Sequence, residues 1–273
     1  MTHGWLGFIL FPLIAYIFST YRKGVDVKFC ALAFCLQVLF CFIIHKIPQV
    51  QKIFFFISQG IYHLKAATLE GTQFVFGYLG GQTPPFPVTD SSKLFIFAFQ
   101  ALPMMIVISA LSMVLFYWGV LPILVRGFAW ALRRTLNIGG ALGVCAAAKA
   151  FLGQTDAPLL IRPYMAKLSR SELFSVMTLG MATTSATAMP IYASLLEGYV
   201  HYPLTHILAA SFISIPGGLF IARIIVPETH EKTQGDLTEP YAFSSTMDAL
   251  SKGVQDGLNL YLNLIAMLIV ALA

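Results

Sequence analysis

Charged residues are scarce: 11% of the 273 positions carry Asp, Glu, Lys or Arg, well below the roughly 25% of an ordinary soluble domain. A chain so poor in charge cannot present a solvated surface all round, which excludes the soluble globular classes. The four cysteines, Cys30, Cys35, Cys41 and Cys145, fall in apolar stretches without the paired spacing of a zinc or redox site. They read as small packing residues. There is no HExxH pair, nucleophile elbow or Ser/His/Asp set, so an enzyme is not expected. No lysine or arginine precedes the first apolar run, Trp5 to Ser19, and no clear small-residue cleavage site follows it. That run is therefore expected to be a first membrane span rather than a cleaved signal peptide.

Apolar residues dominate what is present. Hydrophobic side chains make up 58% of the chain, with 23 phenylalanines. Several windows approach the roughly 20 apolar residues that a spanning helix needs, so the fold class is an all-α polytopic membrane protein. The net charge of +5 is interpreted by where the bases lie. Arg22, Lys23 and Lys28, then Arg126, Arg133 and Arg134, then Arg162, Lys167 and Arg170, and later Arg223, Lys232 and Lys252, recur on one side if the N-terminus is outside. Only Lys46, Lys52, Lys65 and Lys93 fall opposite, and Lys149 is left within the membrane. The positive-inside rule makes the richer side cytoplasmic. Basicity here is a topology signal, and no nucleic-acid partner is expected.

Along the chain, Trp5–Ser19 is the first span and Phe29–Ile44 a short second one. From Lys52 to Tyr78 aromatics alternate with Gln59, His63, Lys65, Glu70 and Gln73, which suits a helix lying in the interface. GGQTPPFP, Gly80–Pro87, is an extramembrane connection. Leu94–Val125 runs 32 residues without a formal charge and contains Pro103 and Pro122, so a tilted or kinked helix is expected. After a break at Asn137–Gly140, the apolar climb Gly140–Leu152 is too short to cross. It leads into LGQTDAPLLIRP, Leu152–Pro163, where Asp156 stands among polar neighbours at membrane depth. An ionisable residue there is by default a functional site, and Lys149, seven positions earlier, is a possible partner. The pattern is that of a re-entrant hairpin, whose backbone leaves the helix only where it lines a cavity or packs in protein.

Leu173–Leu196 carries Thr183, Thr184, Ser185 and Thr187 before Pro190. This is either small-residue packing between helices or a discontinuous helix of the kind that builds transporter sites. Pro203–Ala222 forms another span with a bend at Pro216-Gly217-Gly218, Pro227–Pro240 reads as a solvated cytoplasmic loop, and a final apolar run occupies Gly257–Ala273.

GQTDAPLLIRP, the following LSRSELFSVMTLGMAT, and LAASFISIPGGLFIARIIVPE, with EGTQFVFGYLGG earlier and DALSKGVQDGLNLYLN later, resemble the concentrative nucleoside transporter family in order and over nearly the whole chain. The resemblance implies two inverted repeats, each with a re-entrant hairpin, on a trimeric scaffold, and ion-coupled inward movement of nucleosides by an elevator-like motion. It places the nucleobase against Gly153, Gln154, Thr155 and Asp156, facing Ala188. It places a cation among Lys149, the Leu152 carbonyl, Thr183 and Thr184. Asp156 replaces the family's usual glutamate, and Lys149 stands where sodium-coupled members typically place an asparagine. Lys149 is then a fixed internal cation, a titrating proton carrier, or a side chain that snorkels to the interface. A proton is favoured over sodium as the coupling cation, and no cofactor is expected. The second repeat would lie after Ala273, so the chain reads as one half of an inverted-repeat fold.

These readings divide the chain into scaffold and interfacial helices at residues 1–92, a first repeat at 93–200 with its hairpin at about 140–163 and broken helix at about 171–200, and a remainder at 201–273. About six transmembrane helices, one re-entrant hairpin and an interfacial helix are expected. The function is nucleoside uptake, with a transport-inactive fragment or membrane scaffold as the alternative. The partners are nucleosides, the lipid bilayer and two further copies in a homotrimer. The location is a plasma membrane, the inner one in a bacterium.

Overall fold

The computed structural model describes residues 3–87, 94–153, 156–196, 198–238 and 243–273. Every regular element among them is helical. Helix α1 (His3–Ile17) leads through a 3-10 turn, Arg22–Gly24, to α2 (Val27–Lys46). The second span is longer at both ends than its apolar run. The Asp26 carboxylate accepts from the backbone N–H groups of Lys28 at 3.0 Å and Phe29 at 3.1 Å, so the cap starts the helix inside the charged segment. Helix α3 (Pro48–Phe76) follows.

The apolar stretch 94–125 is not a single helix, but its first part, Phe97–Tyr117, is one helical span interrupted only at 101–103, the kink expected at Pro103. The stretch gives α4 (Phe97–Gln100), α5 (Met104–Tyr117) and the start of α6 (Val120–Leu136). Pro103 separates the first two, as its missing N–H and fixed φ predict. The second break falls at Gly119, whose φ of +79° is left-handed. Its N–H donates to the Phe116 carbonyl at 3.0 Å and that of Trp118 to Val114 at 2.9 Å, closing the helix end. Pro122 therefore sits in the first turn of α6, where proline is tolerated.

Then come α7 (Gly140–Ala148), the single turn α8 (Asp156–Leu159), a 3-10 segment Arg162–Lys167, α9 (Arg170–Ala182), α10 (Met189–Leu196), α11 (Pro203–Ile225) and α12 (Thr246–Leu272). Among the described residues, four stretches are long and apolar enough to cross a bilayer: Val27–Lys46, Phe97–Tyr117, Pro203–Ile225 and Thr246–Leu272. The protein is a multi-pass membrane protein. Of the cysteines, Cys30 and Cys145 pack in the interior, whereas Cys35 and Cys41 lie on exposed surface. The packing role expected of all four therefore holds for two.

The chain forms two compact units from interleaved segments. One comprises Met1–Val50, Pro122–Ser185 and Leu208–Tyr241, and the other Gln51–Leu121, Ala186–Ile207 and Ala242–Ala273. In the second, α12 packs against α5 at backbone distance. A Cβ on Gly253 would lie 2.6 Å from the Ala110 Cα, and one on Gly257 2.6 Å from the Ile106 Cα. Glycine at this spacing lets two helices approach without lipid between them. The first unit contains the hairpin segment and the end of α9.

Candidate functional site

The segment from α7 to Leu160 is anchored at its base by a buried carboxylate. Ser169 caps α9 and forms a capping box with Glu172, a pattern that satisfies two otherwise orphaned amides. Glu172 is 0% exposed, and its oxygens accept from the backbone N–H of Ser169 at 3.2 Å, the N–H of Thr233 at 3.0 Å and the Thr233 hydroxyl at 2.6 Å. A buried charge is tolerable only when hydrogen-bonded in this way. The Thr233 carbonyl in turn accepts from Ala141 N–H at 3.4 Å. Gly140 lies directly under Gly235, where an added Cβ would come within 2.2 Å of the Gly235 carbonyl oxygen. At the other leg, the N–H of Thr238 donates to the Leu160 carbonyl at 3.0 Å, and its hydroxyl donates to the same oxygen.

Residues 227–238 are therefore only in part the freely solvated loop that their composition predicted. Thr233 and Thr238 bind Glu172 and backbone carbonyls, whereas Thr229 to Lys232, Gln234 and Asp236 stay exposed as expected. Glu228 is also engaged, accepting from the Ser169 hydroxyl at 2.9 Å and from the guanidinium of Arg223. Arg223 is buried beside it, over the ring of Phe29 at 5.6 Å. It is an internal ion-pair partner rather than a free topology charge.

Helix α7, GALGVCAAA, is buried along its whole length. Its small side chains, four of them alanine, allow that close packing. It packs on α9, and the two start together, since a Cβ on Gly139 would be 2.5 Å from the Glu172 carboxylate. From Gly139 to Lys149 and from Glu172 to Thr183 each helix rises about 15 Å. Both ends then reach the same place on α11. The Phe151 ring meets Phe212 at 5.8 Å, while Ser211 binds the backbone of Thr184 twice, accepting from its N–H at 3.2 Å and donating to its carbonyl at 3.4 Å. Pro216 offers no N–H to the Phe212 carbonyl one turn earlier.

Lys149 sits at the end of α7 and is 1% exposed. It does not snorkel to an interface. Its Nζ donates to the Gly153 carbonyl at 3.4 Å, and the same carbonyl accepts from Ala157 N–H at 3.2 Å. One oxygen thus joins the lysine to the returning turn. Helix α9 stops at Thr183, whose backbone is extended and whose N–H and hydroxyl both return to the Leu179 carbonyl, at 3.2 and 2.8 Å. The chain is non-helical until α10 begins at Met189, so the sequence's hydroxyl cluster and Pro190 do mark a broken helix. The carboxyl ends of α7 and α9 each leave carbonyls without helical partners and carry partial negative charge. Their partial charge favours a positive group, and the Lys149 side chain is buried beside the end of α7.

Of the residues singled out in the sequence, Lys149, Leu152, Gly153, Thr183 and Thr184 belong to the first unit, where Lys149 bonds Gly153 and Thr184 bonds Ser211. Ala188 belongs to the second unit, where its carbonyl accepts from Ile191 and Tyr192. Gln154 and Thr155 lie outside the described residues, as does the side chain of Asp156, whose backbone opens α8. The Lys149–Asp156 pairing is outside them too. Glu172, Thr233, Ser211 and Phe212 were not anticipated. The Ser169-x-x-Glu172 capping pattern was available as a signal for the first, but nothing local distinguishes the other three.

Three family models match the chain in order. They are described as the Na+ dependent nucleoside transporter N-terminus over residues 6–79, nucleoside recognition (gate) over 98–198, and the Na+ dependent nucleoside transporter C-terminus over 206–273. An uncharacterized transporter of Bacillus subtilis, YutK, is 33% identical over 99% of this chain and 64% of its own length. The nucleoside permease NupC of Helicobacter pylori is 31% identical over 97% and 61%. Sodium/nucleoside cotransporter 2 of Mus musculus is 29% identical over 98% and 38%. The solved structure of CNTnw in an inward-facing substrate-bound state superposes with a TM-score of 0.85 at 32% identity, over 99% of this chain and 62% of that one. The chain thus spans about six tenths of the length of its bacterial relatives. All three relatives are described as transporters, permeases or cotransporters, and none as an enzyme or a scaffold. With three consecutive domain models matched and the same helical architecture in a solved relative, this chain belongs to the concentrative nucleoside transporter family.

Proposed function

We propose that this chain carries nucleosides across a cell membrane by ion-coupled secondary transport, with the hairpin of residues 140–163 and the helix break at 183–188 forming one side of the site. The observation that carries this reading is the convergence of the α7 and α9 carboxyl ends on α11, beside the buried Lys149. Interrupted helices whose ends face a common point are how secondary transporters hold substrate and ion. The kinship to a permease and a sodium/nucleoside cotransporter supports nucleosides as the substrate class.

In this reading Gln154, Thr155 and Asp156 meet the nucleobase with an amide, a hydroxyl and a carboxylate, Gly153 lets the backbone approach, and Ala188 is the further residue that the family resemblance assigns to the base. The α7–α8 segment is re-entrant, α3 lies in the interface, and α1 and the α9–α10 pair cross beside the four long spans to give about six crossings. The N-terminus is outside, the membrane is a plasma membrane, the inner one in a bacterium, and three copies assemble on the scaffold.

The coupling ion is the finer part of the proposal. The family models are described by sodium dependence, and no relative named here supports a preference for protons. Lys149 nevertheless favours a proton or a fixed internal cation, because an ammonium donating to the Gly153 carbonyl would repel sodium from the same carbonyls at close range.

The test is uptake of radiolabelled uridine and adenosine in cells that lack nucleoside transport. They would express the chain joined to the portion of the H. pylori permease that it does not cover, in sodium or choline buffer. Uptake is expected in both buffers, with sodium dependence appearing in Lys149→Asn. Strict sodium dependence with Lys149 intact refutes the ionic reading, and no uptake of either nucleoside refutes the substrate class.

A further inference from the structure

A second concavity, away from the helix ends, lies wholly within the first unit. Helices α1, α2, α9 and α11 enclose a groove of about 690 Å³, lined among others by Phe11, Phe18, Gln37, Thr178, Gly217 and Ile225. That is the size of a small-molecule site, but its walls are almost wholly apolar. It follows α1 from Gly7 to Phe18, about 16 Å at the helical rise. Half of a hydrocarbon core roughly 30 Å thick is the same length. The groove matches one leaflet.

Its end is marked by charge. The N–H and hydroxyl of Thr20 donate to the Ile225 carbonyl at 2.8 and 3.1 Å, which pins the end of α1 to the end of α11. Arg22 and Lys23 in the following turn and Lys28 in the first turn of α2 are exposed there. The Arg22 guanidinium donates to the Ile17 carbonyl at 3.0 Å, which holds it at the mouth beside Phe18. The neighbouring carboxylate, Asp26, is turned to the α2 amides, and Arg223 is paired with Glu228. The rim is therefore positive where the apolar walls end. A second copy seated here would bring an identical basic cluster against this one, whereas a phosphodiester with an acyl tail meets both features.

We propose that the groove binds an anionic phospholipid of the surrounding bilayer, one acyl chain lying along α1 and the phosphate seated on Arg22, Lys23 and Lys28. Basic residues at the cytoplasmic end of membrane helices attract such headgroups. This site is independent of nucleoside transport, and its test reads lipid binding alone.

Purified chain in detergent would be titrated by native mass spectrometry with phosphatidylglycerol and phosphatidylcholine of identical acyl chains. Phosphatidylglycerol adducts are expected at roughly tenfold lower lipid concentration. The combined Arg22→Gln, Lys23→Gln and Lys28→Gln variant, altered only at exposed positions, should lose that preference, and Lys46→Gln should keep it. Ile14→Trp, which adds bulk at a groove-lining residue that is 39% exposed, should weaken both lipids, with gel filtration confirming that the variant is folded. Equal retention of the two lipids by the unaltered chain overturns the proposal. So does a phosphatidylglycerol preference that survives the triple substitution, or a dimer mass in place of the lipid adduct.

Discussion

Replacing Glu172 by alanine should be the most damaging single change in the first unit. The carboxylate is fully buried and accepts three hydrogen bonds, two of them from Thr233 across 61 positions of chain. Each hydrogen bond to a buried charge contributes about 1.5–3 kcal/mol. They share one acceptor group and are not additive, and the substitution also leaves the Thr233 amide buried without a partner, so the loss is roughly 3–5 kcal/mol. That lowers the apparent melting temperature by on the order of 10 °C, read as the monodisperse fraction left after heating in detergent. Glu172→Gln keeps one oxygen and the side-chain volume and should lose about half as much. Thr233→Val removes only the hydroxyl and should cost about 1 kcal/mol. Combining Glu172→Ala with Thr233→Val should cost less than the sum, because both changes break the same bond. A Glu172→Ala protein melting within about 2 °C of the unaltered one, or strict additivity in the double variant, would refute the anchoring role.

Gly140→Ala places a methyl 2.2 Å from the Gly235 carbonyl oxygen and should cost about 1–3 kcal/mol while raising protease cleavage within residues 227–238. Gly253→Val wedges α12 from α5 against the Ala110 Cα, with a loss of similar size by the same melting assay. Ser211→Ala removes both bonds to Thr184 at a cost of about 0.5–1.5 kcal/mol. Its effect should appear chiefly as weakened nucleoside uptake by the fused transporter, and unchanged uptake would detach Ser211 from the site.

The family was legible because its motifs are local, and so was the helix break, since a run of hydroxyls before Pro190 weakens a helix wherever it occurs. Boundaries were less legible. Asp26 extends the second span by capping, and Gly119 ends α5 through a left-handed residue, so that an uncharged stretch of uniform composition becomes separate helices. Residues 227–238 were misread only in part, for a different reason. Glu228, Thr233 and Thr238 are polar, and polarity alone cannot tell a side chain bound to water from one bound to a buried carbonyl more than 50 positions away. Lys149 was recognised as anomalous, but which way it turned depended on Gly153 and on the complete burial of α7. The interleaving of the two units is invisible to a reading that proceeds along the chain.

The strap from Thr233 to Thr238 also bears on the order of synthesis. The hairpin legs are complete once Leu160 has been made, yet the groups that satisfy Glu172 and the Leu160 carbonyl come 61 and 78 residues after their partners. At the usual rate of about 5–20 residues per second, a ribosome takes roughly 4–16 s to cover the longer distance. During that interval a buried carboxylate and an open carbonyl are held in the growing chain without their final partners. The last docking step of this segment therefore belongs to the translation of the stretch between α11 and α12.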